Sequence, residues 1–192
     1  MTADPRYDAA VAAIDAVNDA DPDGRASHEA ARVLAWRERL ATPTDDAGRL
    51  AALAHHLGRW RRPRRDAPAG RAGYLRWRAD QLRRQAEEVD ALLAEAGYDE
   101  ALRRQVAQIV AKRDRAGDPA VQAHEDAVCL VFLEEQLDDI AGRLGDDHTV
   151  RVLRRTAAKM SEEAVALAAT IDLSATGRRL LERALGAEPD GS

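Results

Sequence analysis

The sequence predicts an all-α fold, a single-domain bundle of about seven to nine helices. Alanine, arginine, leucine and glutamate, which are good helix formers, dominate the 192 residues. Aromatic residues make up only 4% and β-branched residues are scarce, so a large sheet is not expected. Apolar residues recur at helical spacing. We therefore expect one helical domain over residues 1–186 and a frayed tail over 187–192.

The helices follow from apolar periodicity and from cap residues. The first is predicted over 7–19. The second is capped by Ser27, and the third runs from a Thr44 cap to near Gly58, with Pro63 preventing continuation. A long helix is predicted over 71–96. The later segments begin at the Asp99 cap, at Pro119, at Val150, at the Ser161 cap and at Ser174.

The segment after Asp118-Pro119 predicts a buried central helix near 119–142. An acid followed by proline is a strong helix start. Residues 127–133 are seven consecutive apolar residues, so this helix is apolar on nearly all sides. Such helices are usually surrounded by others.

Several classes of protein are disfavoured. Cys129 is the single cysteine, which excludes an internal disulfide framework. No apolar run approaches the ~20 residues of a transmembrane helix, and residues 1–10 lack the apolar segment of a signal peptide. We expect a cytoplasmic protein that does not associate with membranes.

The basic segment 59–84 is the first candidate for function. It holds ten arginines against Asp66 and Asp80, whereas the whole chain has a net charge of −5. Trp60, Tyr74 and Trp77 alternate with these arginines. Stacked guanidinium and aromatic groups hold planar anions or bases, which favours a small phosphorylated ligand or, as a weaker possibility, nucleic acid. Arginines that coat a solvated helix face, with tryptophans in the core, are the alternative.

Two polar clusters could carry chemistry. His55 and His56 are placed late in the third helix, and neutral imidazole is a common metal ligand. Gln122, His124, Glu125 and Asp126 lie in the first turns of the predicted central helix. Polar groups that enter a buried helix require partners, which arginines, a metal ion or free N–H groups could supply. A structural ion pair between Asp126 and an arginine is the simpler explanation.

Lys112 and Lys159 stand out by composition. Arginine outnumbers lysine 27 to 2, so a bias that favours arginine has spared these two positions. A compact ammonium group could be required there, although chance survival is the alternative.

The motifs HHLGRWxxPR, RAGYLRWR, EDAVCLVFLE and KMS resemble, in this order, the uncharacterised family known as the domain of unknown function 4202. The resemblance spans residues 7–185. His55 stands where the family has glutamine, and Gln85 replaces a family histidine. The matching positions are His56, Arg59, Trp60, Pro63, Arg64, Arg71, Gly73, Tyr74, Trp77, Arg78, Lys112, Gln122, Glu125, Asp126, Glu134, Lys159, Met160 and Ser161.

The stretch AALAHHLG also resembles the metal-binding stretch of HD-domain phosphohydrolases, which are helical. This resemblance implies a divalent metal ion held by His55, His56, Asp126 and Glu29, and a nucleotide-like phosphate ester as substrate. In that interpretation Glu125 is the general base and Lys112 and Lys159 are catalytic. The substrate-binding residues are Arg59, Trp60, Arg64, Arg71, Tyr74, Trp77, Arg78 and Gln122. The alternatives are a non-catalytic module that binds an anion, a nucleotide or RNA, and a purely structural network of charges.

Overall fold

Helices make up the regular structure in the computed structural model, which describes residues 4–186. Within these residues there is no strand, which confirms the predicted all-α class. The predicted tail over 187–192 lies outside the described residues. None of the helices in the described part of the chain has the length and apolar content that a membrane span needs. The α-helices are α1 Pro5–Asp19, α2 Arg25–Arg39, α3 Asp46–Leu53, α4 Gly70–Glu95, α5 Glu100–Val110, α6 Pro119–Leu144, α7 Asp146–Ala157, α8 Glu162–Ala168 and α9 Ala175–Leu185.

The contacts between helices divide the chain into two compact units, one ending at His124 and the other beginning at Glu125. In the first unit α3 packs against α1, α2 and α5, and α4 packs against α1 and α5. Its core contains Ile14, Leu50, Leu93 and Ile109, which are fully buried. In the second unit α7 packs against α9. Residues 121–131 of α6 are all buried or half-buried, as its continuous apolar segment predicts.

Three of the predicted helix caps are confirmed. The Asp99 carboxylate accepts from the Leu102 amide, the Ser161 hydroxyl from Ala164 and the Ser174 hydroxyl from Gly177. Each side chain satisfies one of the amides that a helix start leaves without an intrahelical partner.

The predicted caps of α2 and α3 are wrong. Thr44 is engaged with Arg37, whose Nη1 donates to its hydroxyl at 2.9 Å, and Asp45 caps α3 instead. Ser27 lies inside the first turn of α2, where its hydroxyl donates to Asp19 at 2.6 Å. The carboxylate of Asp21 accepts from the first amides of α2, at Arg25 and Ala26, and takes over the capping role.

The end of α3 also differs from the prediction. The helix stops at Leu53, well before Gly58, because the chain enters the left-handed region at His56 with φ 62° and again at Gly58 with φ 61°. His55 and His56 therefore lie in the turn that follows α3, not in the helix itself. Two short 3-10 helices, Arg59–Arg61 and Arg64–Asp66, lead from this turn to α4.

The segment between α3 and α4 is fixed onto the first half of α4. The carbonyl of Arg62 accepts from Trp77 Nε1 at 3.0 Å and from Gln81 Nε2 at 2.7 Å. One turn earlier, the carbonyl oxygen of Pro68 approaches Gly73 so closely that a Cβ there would lie 1.9 Å from it. The glycine of the RAGY motif is therefore required by this approach and not by its backbone angles.

We expect Gly73→Ala to lower the free energy of unfolding by about 2–3 kcal/mol, because backbone must move to admit the methyl group. Gly142→Ala is the matched control. It also lies in a helix, but nothing stands within 4 Å of its added Cβ, so its unfolding free energy should rise by about 0.5–1 kcal/mol. Urea denaturation of both variants measures the difference, and equal effects would contradict the close approach.

Candidate functional site

A chain of hydrogen bonds joins three parts of the first unit. His56 Nδ1 donates to Glu29 Oε2 on α2 at 2.8 Å, and Arg59 Nη1 donates to His56 Nε2. Because an arginine can only donate, this arrangement assigns the His56 proton to Nδ1 and the lone pair to Nε2. The side chains of His56 and Glu29 are 22% and 25% exposed, so solvent reaches one side of this chain.

Two further histidines lie behind His56. The ring of His55 is 3.8 Å from that of His56 and 5.4 Å from that of His124 on α6, measured between centroids. His55 is 4% exposed and His124 is 1% exposed. Among the described residues, His55 Nε2 and both ring nitrogens of His124 are buried without a hydrogen-bond partner. A buried nitrogen in this state costs about 1–3 kcal/mol, so such groups are rare except where water, an ion or a ligand binds.

The electrostatics of the cluster keep its imidazoles neutral. Burial lowers the pKa of His55 and of His124 well below the ordinary histidine value, and the nearby positive charge of Lys112 lowers both further. Burial also lowers the pKa of His56, although the hydrogen bond to Glu29 opposes it. Neutral imidazole is the form that ligates a metal ion.

Glu29 is the acidic member of the cluster. Burial alone would raise its pKa, but the hydrogen bond from His56 and the charges of Arg59 and Lys112 outweigh that effect, and the pKa is lowered. The carboxylate is therefore ionised at neutral pH, beside neutral rings and two cations.

Lys112 holds an unusual backbone conformation, with φ 54°. It follows α5 in a Schellman motif, in which its amide donates to Ile109 and the Arg113 amide donates to Gln108. The end of α4 forms the same motif with Gly97, at φ 86°, in the equivalent position. Lys112 thus holds a backbone conformation that glycine would adopt without strain. Strain of this kind concentrates at functional sites, and His56, at φ 62°, is a second example in the same cluster.

Glu29, His55 and His56 are the metal-binding candidates of the first unit. Each can offer one ligand atom, and these atoms lie within 4.8 Å of one another. Two imidazoles and a carboxylate suit divalent transition metals, and the buried Nε2 of His55 lacks a partner. The residues present therefore fit such an ion. These are three of the four predicted ligands.

The fourth predicted ligand, Asp126, belongs to the second unit. Its carboxylate accepts from the Ser161 amide at 2.9 Å and from the Ser161 hydroxyl at 2.7 Å. Beside it, Glu125 Oε1 lies 3.8 Å from Lys159 Nζ. These contacts link the EDAVCLVFLE and KMS motifs within one unit and supply partners for two buried carboxylates. The ligand role of Asp126 and the catalytic roles of Glu125 and Lys159 stay predictions.

Two of the predicted aromatic residues, Tyr74 and Trp77, lie beside the histidine cluster. Arg59 contacts His56 of that cluster and also Trp77. Its Cζ lies 5.0 Å from the centre of the Trp77 ring, which is itself 6.1 Å from the Tyr74 ring. Arg64 Cζ lies 6.0 Å from Tyr74, at the outer limit of a cation–π contact. The other predicted substrate-binding residues are placed as follows: Arg71 and Arg78 are exposed, and Trp60 and Gln122 are half-buried.

His124 had no predicted role of its own, and it is the residue that sequence reasoning missed. The sequence places it next to Glu125 and Asp126, and those acids drew the functional interpretation. The available signal was its position one turn before the apolar run 127–133, which predicts a buried environment for the start of this helix.

A family model described as a domain of unknown function (DUF4202) matches residues 8–181 of the chain. The chain belongs to this family. No curated protein and no solved structure matches it.

We expect Lys112→Gly to raise the free energy of unfolding by about 1 kcal/mol, because glycine adopts a positive φ without steric cost. Gly97→Ala, at the equivalent position after α4, should lower it by a similar amount. Thermal or urea unfolding measures both variants. A destabilised Lys112→Gly variant would mean that the ammonium group itself stabilises the fold.

The free energy of unfolding should fall as the pH drops below 6.5. His55 and His124 have lowered pKa values in the folded state, so the unfolded chain binds more protons in this window. The slope for each histidine reaches about 1.4 kcal/mol per pH unit. Glu29 contributes to the loss of stability only at lower pH, because its pKa is lowered from 4.5.

Replacing His124 with leucine should flatten this pH dependence between pH 7.5 and 5.5. At pH 7.5 the variant should keep its stability within about 1 kcal/mol, because no hydrogen bond of the ring is lost. His148→Gln, at an exposed position of α7, is the control and should leave the slope unchanged. Urea titrations at several pH values test this, and an unaltered slope in His124→Leu would contradict the lowered pKa of His124.

Proposed function

We propose that this protein holds a divalent metal ion at Glu29, His55 and His56 and hydrolyses a phosphate ester of a nucleotide-like substrate. The observation that carries the proposal is the approach of three ligand atoms, from two imidazoles and one carboxylate, to within 4.8 Å of one another. The resemblance of AALAHHLG to HD-domain phosphohydrolases agrees with it.

When bound, a divalent ion supplies a Lewis acid beside the phosphate. The chain's own residues then account for binding and charge. In the structure His56 takes its orientation from Glu29, which accepts its Nδ1 proton. Because Nδ1 and Nε2 point to opposite sides of the ring, Glu29 would leave this bond to ligate an ion held by Nε2.

Arg59 and Lys112 supply positive charge for the phosphate. Burial lowers the pKa of the Arg59 guanidinium, but arginine remains charged at any physiological pH. The charges of both residues act on Glu29 and on the histidines. Both cations act on the Glu29 carboxylate, and Arg59 offers the geometry for two parallel hydrogen bonds to a phosphate.

A second candidate is a metal-free binding module. The bond from Arg59 Nη1 to His56 Nε2 favours it, because that nitrogen is already engaged. In this function Arg59 and Lys112 hold the phosphate, while Tyr74 and Trp77 lie beside the base. The difference between the two candidates lies in metal binding and hydrolysis.

Isothermal titration of tag-free protein with Mn²⁺ and Zn²⁺ separates the candidates. The proposal expects stoichiometric binding that His55→Ala abolishes and that His148→Ala, at an exposed histidine outside the cluster, leaves intact. A thermal melt of each variant shows whether it is folded. No metal binding by the folded wild-type protein would remove the metal-dependent function and leave the binding module.

Arg59→Ala tests the phosphate step. We expect kcat/KM for release of inorganic phosphate from nucleoside monophosphates to fall about 10- to 100-fold, the usual effect of losing a charge-assisted hydrogen bond. Metal affinity should stay equal or rise, because His56 Nε2 is released. A variant that loses the metal but keeps phosphate release would contradict these roles.

A further inference from the structure

The arginines of the chain differ in whether acids neutralise them. In the first unit, Arg49 pairs with Glu38, Arg61 with Glu88, and Arg103 with Asp90. In the second unit the pairs include Arg143–Asp139, Arg179–Asp146 and Arg183–Asp147. Many of the surface arginines are thus neutralised by salt bridges.

Other arginines have no carboxylate partner in the described part of the chain, among them Arg113, Arg151, Arg155 and Arg178, and the largest group of them lies within residues 59–78. Arg62, Arg71, Arg76 and Arg78 have no carboxylate within ion-pair distance in the part of the chain that the structure describes. The two acids nearest in sequence are engaged elsewhere. Asp80 binds Arg83 and Arg84 at 2.6 and 2.7 Å, and Asp66 lies 3.8 Å from Arg65. Positive charge therefore remains uncompensated along residues 62–78, in a chain whose net charge is −5.

The same stretch presents the ring of Tyr74 to solvent, and that of Trp77 in part. Tyr74 is 43% exposed. The neighbouring ring of Trp77 is 6.1 Å away and tilted by 32°. An exposed ring between unneutralised arginines is the arrangement on which unpaired bases stack, because every base has a π-face.

A groove runs beside these residues. A cavity of about 530 Å³ is lined by Arg61, Arg62, Arg76 and Trp77, together with Asp66 and Asp80. A second cavity of about 350 Å³ shares Arg61 and Arg62 with it and continues to Arg84, Glu87 and Glu88. Each of these four acids is paired with an arginine. The bonds from Trp77 and Gln81 to the Arg62 carbonyl fix the wall between them. The groove is therefore built in advance, which lowers the entropy cost of binding.

We infer that Arg62, Arg71, Tyr74, Arg76, Trp77 and Arg78 form a binding surface for a single-stranded nucleic acid. The arginines neutralise successive phosphates and the rings stack on unpaired bases. A duplex keeps its bases stacked inside and cannot use the rings. RNA and DNA single strands share this chemistry. The surface needs no metal ion and does not include Glu29, His55 or His56, although it shares Tyr74 and Trp77 with the metal-free binding module.

Fluorescence anisotropy in EDTA tests the inference, with labelled oligo(U), oligo(dT) and a duplex, each about 12 nucleotides long. We expect both single strands to bind with an affinity that falls as salt rises, and the duplex to bind much more weakly. A preference between oligo(U) and oligo(dT) would show whether a 2′-hydroxyl is recognised.

Two variants and their controls locate the site. Tyr74→Ala should weaken single-strand binding about 5- to 100-fold, the usual loss of one stacked base. Leu75→Ala, at the adjacent exposed position, should not. Arg76→Gln should reduce the magnitude of the slope of log K against log salt concentration by about one, the effect of losing one phosphate contact. Arg143→Gln, at an ion-paired surface arginine, should leave it unchanged.

Three results would overturn the inference: equal binding of duplex and single strand, an unchanged Tyr74→Ala variant, or competition by polyphosphate as strong as that by oligo(U). Any of them would reduce the surface to a general anion patch or to a solvated helix face. Metal binding and phosphate release by the same protein would be unaffected, so the two proposals fail separately.

Discussion

The hydrogen-bond chain from Glu29 through His56 to Arg59 fixes the path of the backbone between α3 and α4. It ends α3, because His56 reaches both partners from a left-handed backbone conformation that no helix can continue. It starts the 3-10 segment at Arg59, which carries the chain to Arg62, where the carbonyl is fixed to α4. A contact between residues 27 positions apart thus places the basic segment.

The charges around this chain form a constrained set. Several buried imidazoles remain neutral because burial and nearby cations oppose their protonation, while Glu29 remains ionised because His56 and the same cations stabilise it. Lys112 takes part in both effects from a backbone position where glycine would cost less. Nitrogens of His55 and His124 also lack hydrogen-bond partners among the described residues. Strain and unsatisfied polar atoms in one place indicate binding, since a purely structural cluster would be more stable without either.

Local chemistry made the fold class and several helix boundaries predictable. The caps at Asp99, Ser161 and Ser174 act through amides three residues away, so the sequence contains the whole interaction. The end of α3 was not predictable in this way. Residues 50–57 keep a helical apolar pattern, and the turn at His56 depends on side-chain bonds to Glu29 and Arg59, of which Glu29 is distant in sequence. The grouping of Glu29 with His55 and His56 came from a resemblance, since periodicity places no residue of α2 near the turn. His124 was missed because the absence of a partner is a property of the folded environment.

Arg59 gives the two proposals a physical relation although neither depends on the other. Its guanidinium bonds to His56 and lies 5.0 Å from the Trp77 ring, so it contacts both the histidine cluster and the aromatic pair. An anion that draws Arg59 away from His56 leaves Nε2 of that ring available to a metal ion. By linkage, a bound metal ion would then favour the anion by the same factor. If the protein binds both, a positive charge that alternates between a ring nitrogen and a phosphate would couple metal binding to ligand binding.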